Sequence, residues 1–176
     1  FHVGQCTKNG LLAVRTADAG LTASPVALEG QQGFFEVYNG EGNYDATRLL
    51  EGWGAPFEIV DPGIAVKLYP CCGSTHPALD AAIALKREHN LQLSDIESVL
   101  SWTHPRRLKH TNRPRVGTGF DGKFSVQYVV SRALQNGKIS LSDFNDNTVN
   151  EPEIQKFLES KIKAEPHPKS QPNEKN

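Results

Sequence analysis

The sequence predicts an α+β protein in three parts: a helical stretch over residues 1–54, an α+β region over 55–163 and a polar tail over 164–176. Three observations carry this. Small and apolar residues recur at helical spacing in the first part, with glycines where helices should stop. After Trp53-Gly54-Ala55-Pro56, short apolar runs of strand length alternate with amphipathic segments. From Ala164 onward Pro, Lys, Ser, Gln, Asn and Glu predominate, a composition that cannot bury a core and predicts disorder.

In order, residues 4–19 predict a helix with Cys6, Gly10, Ala13, Val14 and Ala17 on one face and Gly20 at its C′ position. Ser24-Pro25 predicts the next helix by the N-cap and N1 rule, weakened by Gly30 and Gly33 and broken by Asn39-Gly40-Glu41-Gly42. Tyr44 to Glu51 predicts a short helix closed by Gly52. These helices lack enough partners to form a domain alone, and a domain boundary is expected at about residue 54.

Ile64 to Tyr69 is apolar, bounded by Pro62-Gly63 and Pro70, and predicts a buried strand interrupted by Lys67. Pro70 stops ladder pairing, Gly73 permits a tight turn, and Ser74, Thr75 or His76 can cap a helix whose first turn holds Pro77. Ala78, Ala81, Ala82 and Leu85 are expected on its inner face, with Lys86, Arg87 and Glu88 outside. Ile96 to Thr103 predicts a strand with Ile96, Leu100 and Trp102 on one face. Residues 104–119, rich in Pro, Arg, Asn and Gly, predict an ordered loop. A helix starting at Gly122 or Ser125 should run through Leu134 to Asn136-Gly137, with Phe124, Tyr128 and Leu134 buried. Ser140 to Phe144 predicts a short turn or helix. Asn150-Glu151-Pro152 starts a last helix with Ile154, Phe157, Leu158 and Ile162 inward.

Nineteen basic and twenty acidic residues give a net charge of -1, so nothing draws the whole chain to nucleic acid or a membrane surface. No apolar run approaches the roughly 20 residues that span a bilayer. Three cysteines, two of them adjacent, predict reduced thiols in a cytoplasmic compartment rather than a disulfide framework. The chain contains no methionine, which predicts an internal portion of a longer protein.

The chemistry gathers in Lys67 to His76, where a strand, a turn and a helix start bring an ammonium, two thiols, two hydroxyls, an imidazole and free N–H groups together. That arrangement suits an anion. By spacing alone Lys67 is either an edge-strand lysine reaching for water or a cation facing a ligand. His76 is either a helix cap or a substrate contact. Cys71, Cys72 and His76 could suggest a metal, but vicinal cysteines rarely reach one ion together and no fourth ligand is evident, so no metal is expected. Packing is the default for both thiols, with Cys72 and His76 as nucleophile and base the alternative. The basic run from Arg106 to Arg115 lacks the interleaved aromatics of a nucleic-acid surface, and Arg106 and Arg107 are expected at the surface.

Lys67-Leu68-Tyr69-Pro70-Cys71-Cys72, followed by Thr75-His76-Pro77 and Asp80-Ala81-Ala82, resembles the MmgE/PrpD family. Four further blocks agree: Phe1-His2-Val3-Gly4 with Asn9-Gly10, Leu28-Glu29-Gly30 with Gly33-Phe34, Asn112-Arg113-Pro114, and Gly122-Lys123-Phe124-Ser125 with Gln127-Tyr128. The resemblance implies a cofactor-independent enzyme, usually a homodimer. Its large all-helical domain, ending here at about residue 54, is followed by a small α+β lid of helices on a short, mainly antiparallel sheet. It implies a lyase like 2-methylcitrate dehydratase, active on di- or tricarboxylates by α-proton abstraction and loss of water; an epimerase, a decarboxylase or a non-catalytic fragment is the alternative. Carried over by position, Lys67 matches an active-site lysine, and the turn Cys71 to His76 matches the segment that follows it. His2 matches a histidine beside a second active-site lysine that would fall just before residue 1. Lys67, His2 and His76 are thus the expected catalytic residues. Arg113, Cys72, Thr75, His110 and Lys123 are the expected substrate contacts. Decarboxylase-like members carry His at the position of Cys72 and Tyr at that of His110, so this chain departs from their pattern.

Overall fold

A computed structural model describes residues 1–170, and its chain divides into two units, Phe1–Ile64 and a second from Ala65 onward. The division falls later than the boundary expected at residue 54.

In the first unit, α1 (His2–Asp18) ends in a Schellman cap. Gly20 N–H donates to Ala17 O at 2.9 Å and Leu21 N–H to Thr16 O at 2.9 Å, with Gly20 at φ +94°. None of the α1 side chains is buried, the expected small-residue face included. Ser24-Pro25 opens only turns. Regular helix begins only at α2 (Phe34–Asn39), whose N-cap Gly33 is packed so closely that a Cβ would lie 2.6 Å from Gly30 O. Ala46–Leu49 form one 3₁₀ turn capped by the Asp45 side chain, which accepts from Thr47 N–H at 3.0 Å.

The second unit comprises α3 (His76–His89), β1 (Val99–Thr103), α4 (Pro105–Thr111), α5 (Gly119–Gly122), α6 (Val126–Asn136), α7 (Asp146–Val149), α8 (Pro152–Lys161) and β2 (Ile162–Pro166). Its centre is α6. Ser125 caps it by accepting from Tyr128 N–H at 3.0 Å, Gly137 ends it at φ +67°, and every residue from Val126 to Leu134 is buried. It packs against α3, α8 and β2. A helix buried on all sides must satisfy its polar side chains internally. Arg132 donates to Asp143 Oδ1 through Nε at 3.0 Å and Nη2 at 2.8 Å, and through Nη1 to Glu151 Oε2 at 2.7 Å. The Tyr128 hydroxyl donates to the Asp143 carbonyl.

Several expectations are corrected. The sheet is parallel, pairing β1 with β2 in the register Val99↔Ile162, not antiparallel. β2 includes Ala164 to Pro166, so the tail begins in a strand; residues 171–176 of that expected disorder lie outside the described residues. Ile64 to Tyr69 is irregular, and Ile64, Val66 and Leu68 are exposed, because no strand among the described residues pairs with them. On α3 the buried residues are Leu79 and Ala82, while Leu85 is exposed. Lys86 is drawn in to donate to Leu91 O at 2.7 Å, so the inner face is rotated from the expected one. On β1, Thr103 points inward, whereas Leu100 and Trp102 are exposed. Among the described residues no helix is long and apolar enough to cross a membrane.

Replacing Asp143 with Asn should leave the Arg132 guanidinium under-compensated and lower the unfolding free energy by about 3 kcal/mol, read as a reduced urea midpoint at unchanged slope. Burial alone would raise the Asp143 pKa, but Arg132 and Ser140 hold it below the ordinary 3.8. Its contribution is complete above that value and is lost as pH falls through the depressed one, so acid should weaken the wild type more than the variant.

Candidate functional site

The turn before α3 is built by Cys72 and Thr75. Thr75 N–H and its hydroxyl both donate to Cys72 O, at 2.9 and 2.8 Å, and Cys72 N–H donates to Lys123 O at 2.8 Å. Ser74 stands at the outer edge of this turn and meets α4, with its Oγ hydrogen-bonded to His110 Nε2 at 3.1 Å. The turn and α4 enclose a cavity of about 500 Å³ lined by Cys72, Gly73, Ser74, His104, Arg106, Arg107 and His110. Two guanidiniums and two imidazoles line it, and among the described residues no carboxylate does.

Helix α4 replaces the first part of the loop expected over residues 104–119, while residues 112–118 are irregular, as expected. His104 is its N-cap, Nδ1 accepting from Arg106 N–H at 3.2 Å, and Pro105 occupies N1. The helical repeat turns Leu108 and Thr111 into the core and leaves Arg106, Arg107 and His110 to line the cavity. In a loop those three residues have no common face; in a helix they do. The readable signal was His104-Pro105 as cap and first-turn proline.

Two of the sequence blocks that carry the resemblance, Asn112-Arg113-Pro114 and Gly122 to Tyr128, interlock to hold α4. Gln127, buried on α6, donates to Asn112 Oδ1 at 2.5 Å and accepts from Arg113 N–H at 3.1 Å. Ser125 Oγ donates to Arg113 O at 2.6 Å. The end of α4 is thereby fixed to the start of α6, and through Lys123 O to the Cys72 turn.

The structure brings together two of the expected site residues, Cys72 and His110, and adds Ser74, His104, Arg106 and Arg107. The other expected residues stand elsewhere. Arg113 faces Asp121 at 3.4 Å and lies over the Phe124 ring at 5.5 Å. Thr75 is fully buried, its hydroxyl engaged within the turn. Lys123 contributes its carbonyl to the turn, while its Nζ lies 5.8 Å from the Phe144 ring centre. His76 starts α3 with its ring edge-on to Tyr69 at 5.1 Å. Lys67 is exposed in the segment leading to the turn. His2 belongs to the first unit, exposed on α1.

Burial pushes the Cys71 thiol pKa up, so it stays a packed thiol, 3.4 Å from Thr75 Oγ1. The hydrogen bond to Asp80, together with burial, raises Tyr69 and keeps its hydroxyl protonated. Among the described residues no three His, Cys, Asp or Glu side chains converge as metal ligands.

A model of the MmgE/PrpD C-terminal domain matches residues 69–176. The chain is 27% identical over 177 residues to the cis-aconitate decarboxylase of Homo sapiens, covering 98% of this chain and 36% of that protein. It is 26% identical over 179 residues to the enzyme of the same name from Mus musculus, covering 98% and 35%. A third match, 26% identical over 166 residues, is to the cis-aconitate decarboxylase of Aspergillus terreus (strain NIH 2624 / FGSC A1156), covering 86% and 34%. The chain thus spans about a third of the length of these curated relatives.

Replacing Gln127 with Ala removes both bonds that hold residues 112 and 113. Hydrogen exchange of the α4 amides should accelerate roughly ten- to hundredfold, with little change in α8.

Proposed function

The chain belongs to the MmgE/PrpD family, and from that premise we propose that the protein it forms part of is a lyase acting on a small di- or tricarboxylate. The cavity between the Cys72 turn and α4 would hold the substrate's carboxylates. The observation that carries this reading is the lining itself: Arg106 and Arg107 converge with His104 and His110, and among the described residues no carboxylate joins them. Such a lining suits a ligand with more than one negative charge.

In the dehydration we favour, a base takes the proton alpha to a carboxylate, leaving the electron pair as an enolate-like charge. That pair forms the C=C bond as the β C–O bond breaks, and an acid protonates the departing hydroxyl as water. Arg106 and Arg107 would hold carboxylates and stabilise the enolate-like charge. His110, against Ser74, is the cavity's candidate for moving the proton at Nε2. Cys72 forms part of the cavity wall.

Decarboxylation is the second reading, favoured by the names of the relatives. There the C–C bond to a carboxylate breaks, CO₂ leaves and a proton takes its place. Dehydration is preferred because Cys72 and His110 stand where decarboxylase-like members resemble one another in carrying His and Tyr.

Incubating the complete protein with 2-methylcitrate, citrate or cis-aconitate in deuterated water, with NMR detection of products, separates these readings. Loss of water is expected from 2-methylcitrate or citrate, and its addition to cis-aconitate, which has no hydroxyl to lose. Release of CO₂ would select decarboxylation, and deuterium incorporation with neither would contradict the lyase reading. Arg107→Ala should lower kcat/KM about 10- to 100-fold, the loss of one charge-assisted contact.

A further inference from the structure

His104 accepts at Nδ1 from Arg106 N–H, so its neutral ring carries its proton on Nε2. That Nε2 is out of contact with solvent and finds no hydrogen-bond partner among the described residues. A desolvated donor left unpaired destabilises the fold by roughly 1–3 kcal/mol, and native structures tolerate few of them. Among the described residues His76 Nε2 is also unpartnered, but His76 lines neither of the two cavities beside the Cys72 turn. His104 lines two. The basic cavity abuts a smaller one of about 280 Å³, lined by Ser74, Pro77, Ala78, Trp102, Thr103, His104 and Arg107. Ser74, His104 and Arg107 form the wall common to both.

Resting on the carboxylate reading above, we propose that His104 is a substrate-binding residue whose Nε2–H donates to a carboxylate oxygen of the ligand, seated at this shared wall. The cap bond at Nδ1 fixes the ring's tautomer and aims the donor, and the fold bears an unpaired donor until ligand arrives. The oxygen reaches it by displacing the side chains of the wall, of which Arg107 is the long, part-exposed one. A guanidinium and a neutral N–H then meet the same carboxylate, the first supplying charge and the second direction.

His104→Asn separates the two roles of the ring. The asparagine Oδ1 takes the position of Nδ1 and is among the best N-cap acceptors, so α4 keeps its cap, while nothing replaces Nε2–H. Calorimetric titration of the chain with citrate should show saturable binding to the wild type and at least about tenfold weaker binding to the variant. In citrate-free buffer the variant's melting temperature should equal or exceed that of the wild type. A variant that binds citrate as tightly as the wild type overturns the role of His104 and leaves the carboxylate cavity standing. So does a variant that melts several degrees lower without citrate, since the Nε2 proton would then be holding the fold. Absence of saturable citrate binding to the wild type overturns both.

Discussion

The site depends on a clamp made of two side chains of one helix start. Ser125 and Gln127 hold the Asn112 side chain and the Arg113 backbone through three bonds, two from Gln127 and one from the Ser125 hydroxyl. Gln127 is effective because α6 is buried around it: an amide in the interior cannot exchange its partners for water, so each of its bonds is expensive to break. The neighbouring Lys123 carbonyl holds Cys72 N–H. One short stretch therefore fixes both walls of the cavity, the turn at Cys72 to Ser74 and the helix carrying Arg106, Arg107 and His110.

The arginines divide accordingly. Arg132 is buried against Asp143 and Glu151, and Arg113 faces Asp121 while lying over Phe124. Arg132 holds the fold from inside, whereas Arg113 is committed to Asp121 at a half-exposed position. Among the described residues, Arg106 and Arg107 form no ion pair, and they share their cavity with two imidazoles and no carboxylate. Like charges gathered without a counter-charge destabilise a surface unless an anion visits it, which separates the guanidiniums already paired from the ligand-facing ones at the cavity. The unpaired Nε2 of His104 extends the pattern from charge to hydrogen bonding.

Much of this architecture was legible where the sequence punctuates itself. Ser125 and Gly137 bound α6, Pro152 opens α8 and Gly20 closes α1, each because a cap or a positive φ has few residue choices. The failures share a cause, dependence on partners remote in sequence. Ile64 to Tyr69 reads as a strand but has no ladder to join among the described residues. The parallel pairing of β1 with β2 links residues some sixty positions apart, and no local pattern specifies it. Arg113 is expected at the site from its place in a block that carries the resemblance, but its backbone bonds to Ser125 and Gln127 and its side chain lies with Asp121. Helix α4 was missed because Pro, Arg and Asn were read as loop composition, whereas Pro105 is a first-turn proline behind a histidine cap. With α4 absent from that reading, Arg106, Arg107 and His110 had no common face, and only Cys72 and His110 of the cavity were anticipated.

The most direct test is to follow backbone amide shifts of the isotopically labelled chain as citrate is added. If the cavity between the Cys72 turn and α4 holds carboxylates, the saturable shifts should centre on Gly73, Ser74 and Arg106 to His110, with α8 unmoved. Shifts confined to other parts of the second unit, or none that saturate, would contradict it.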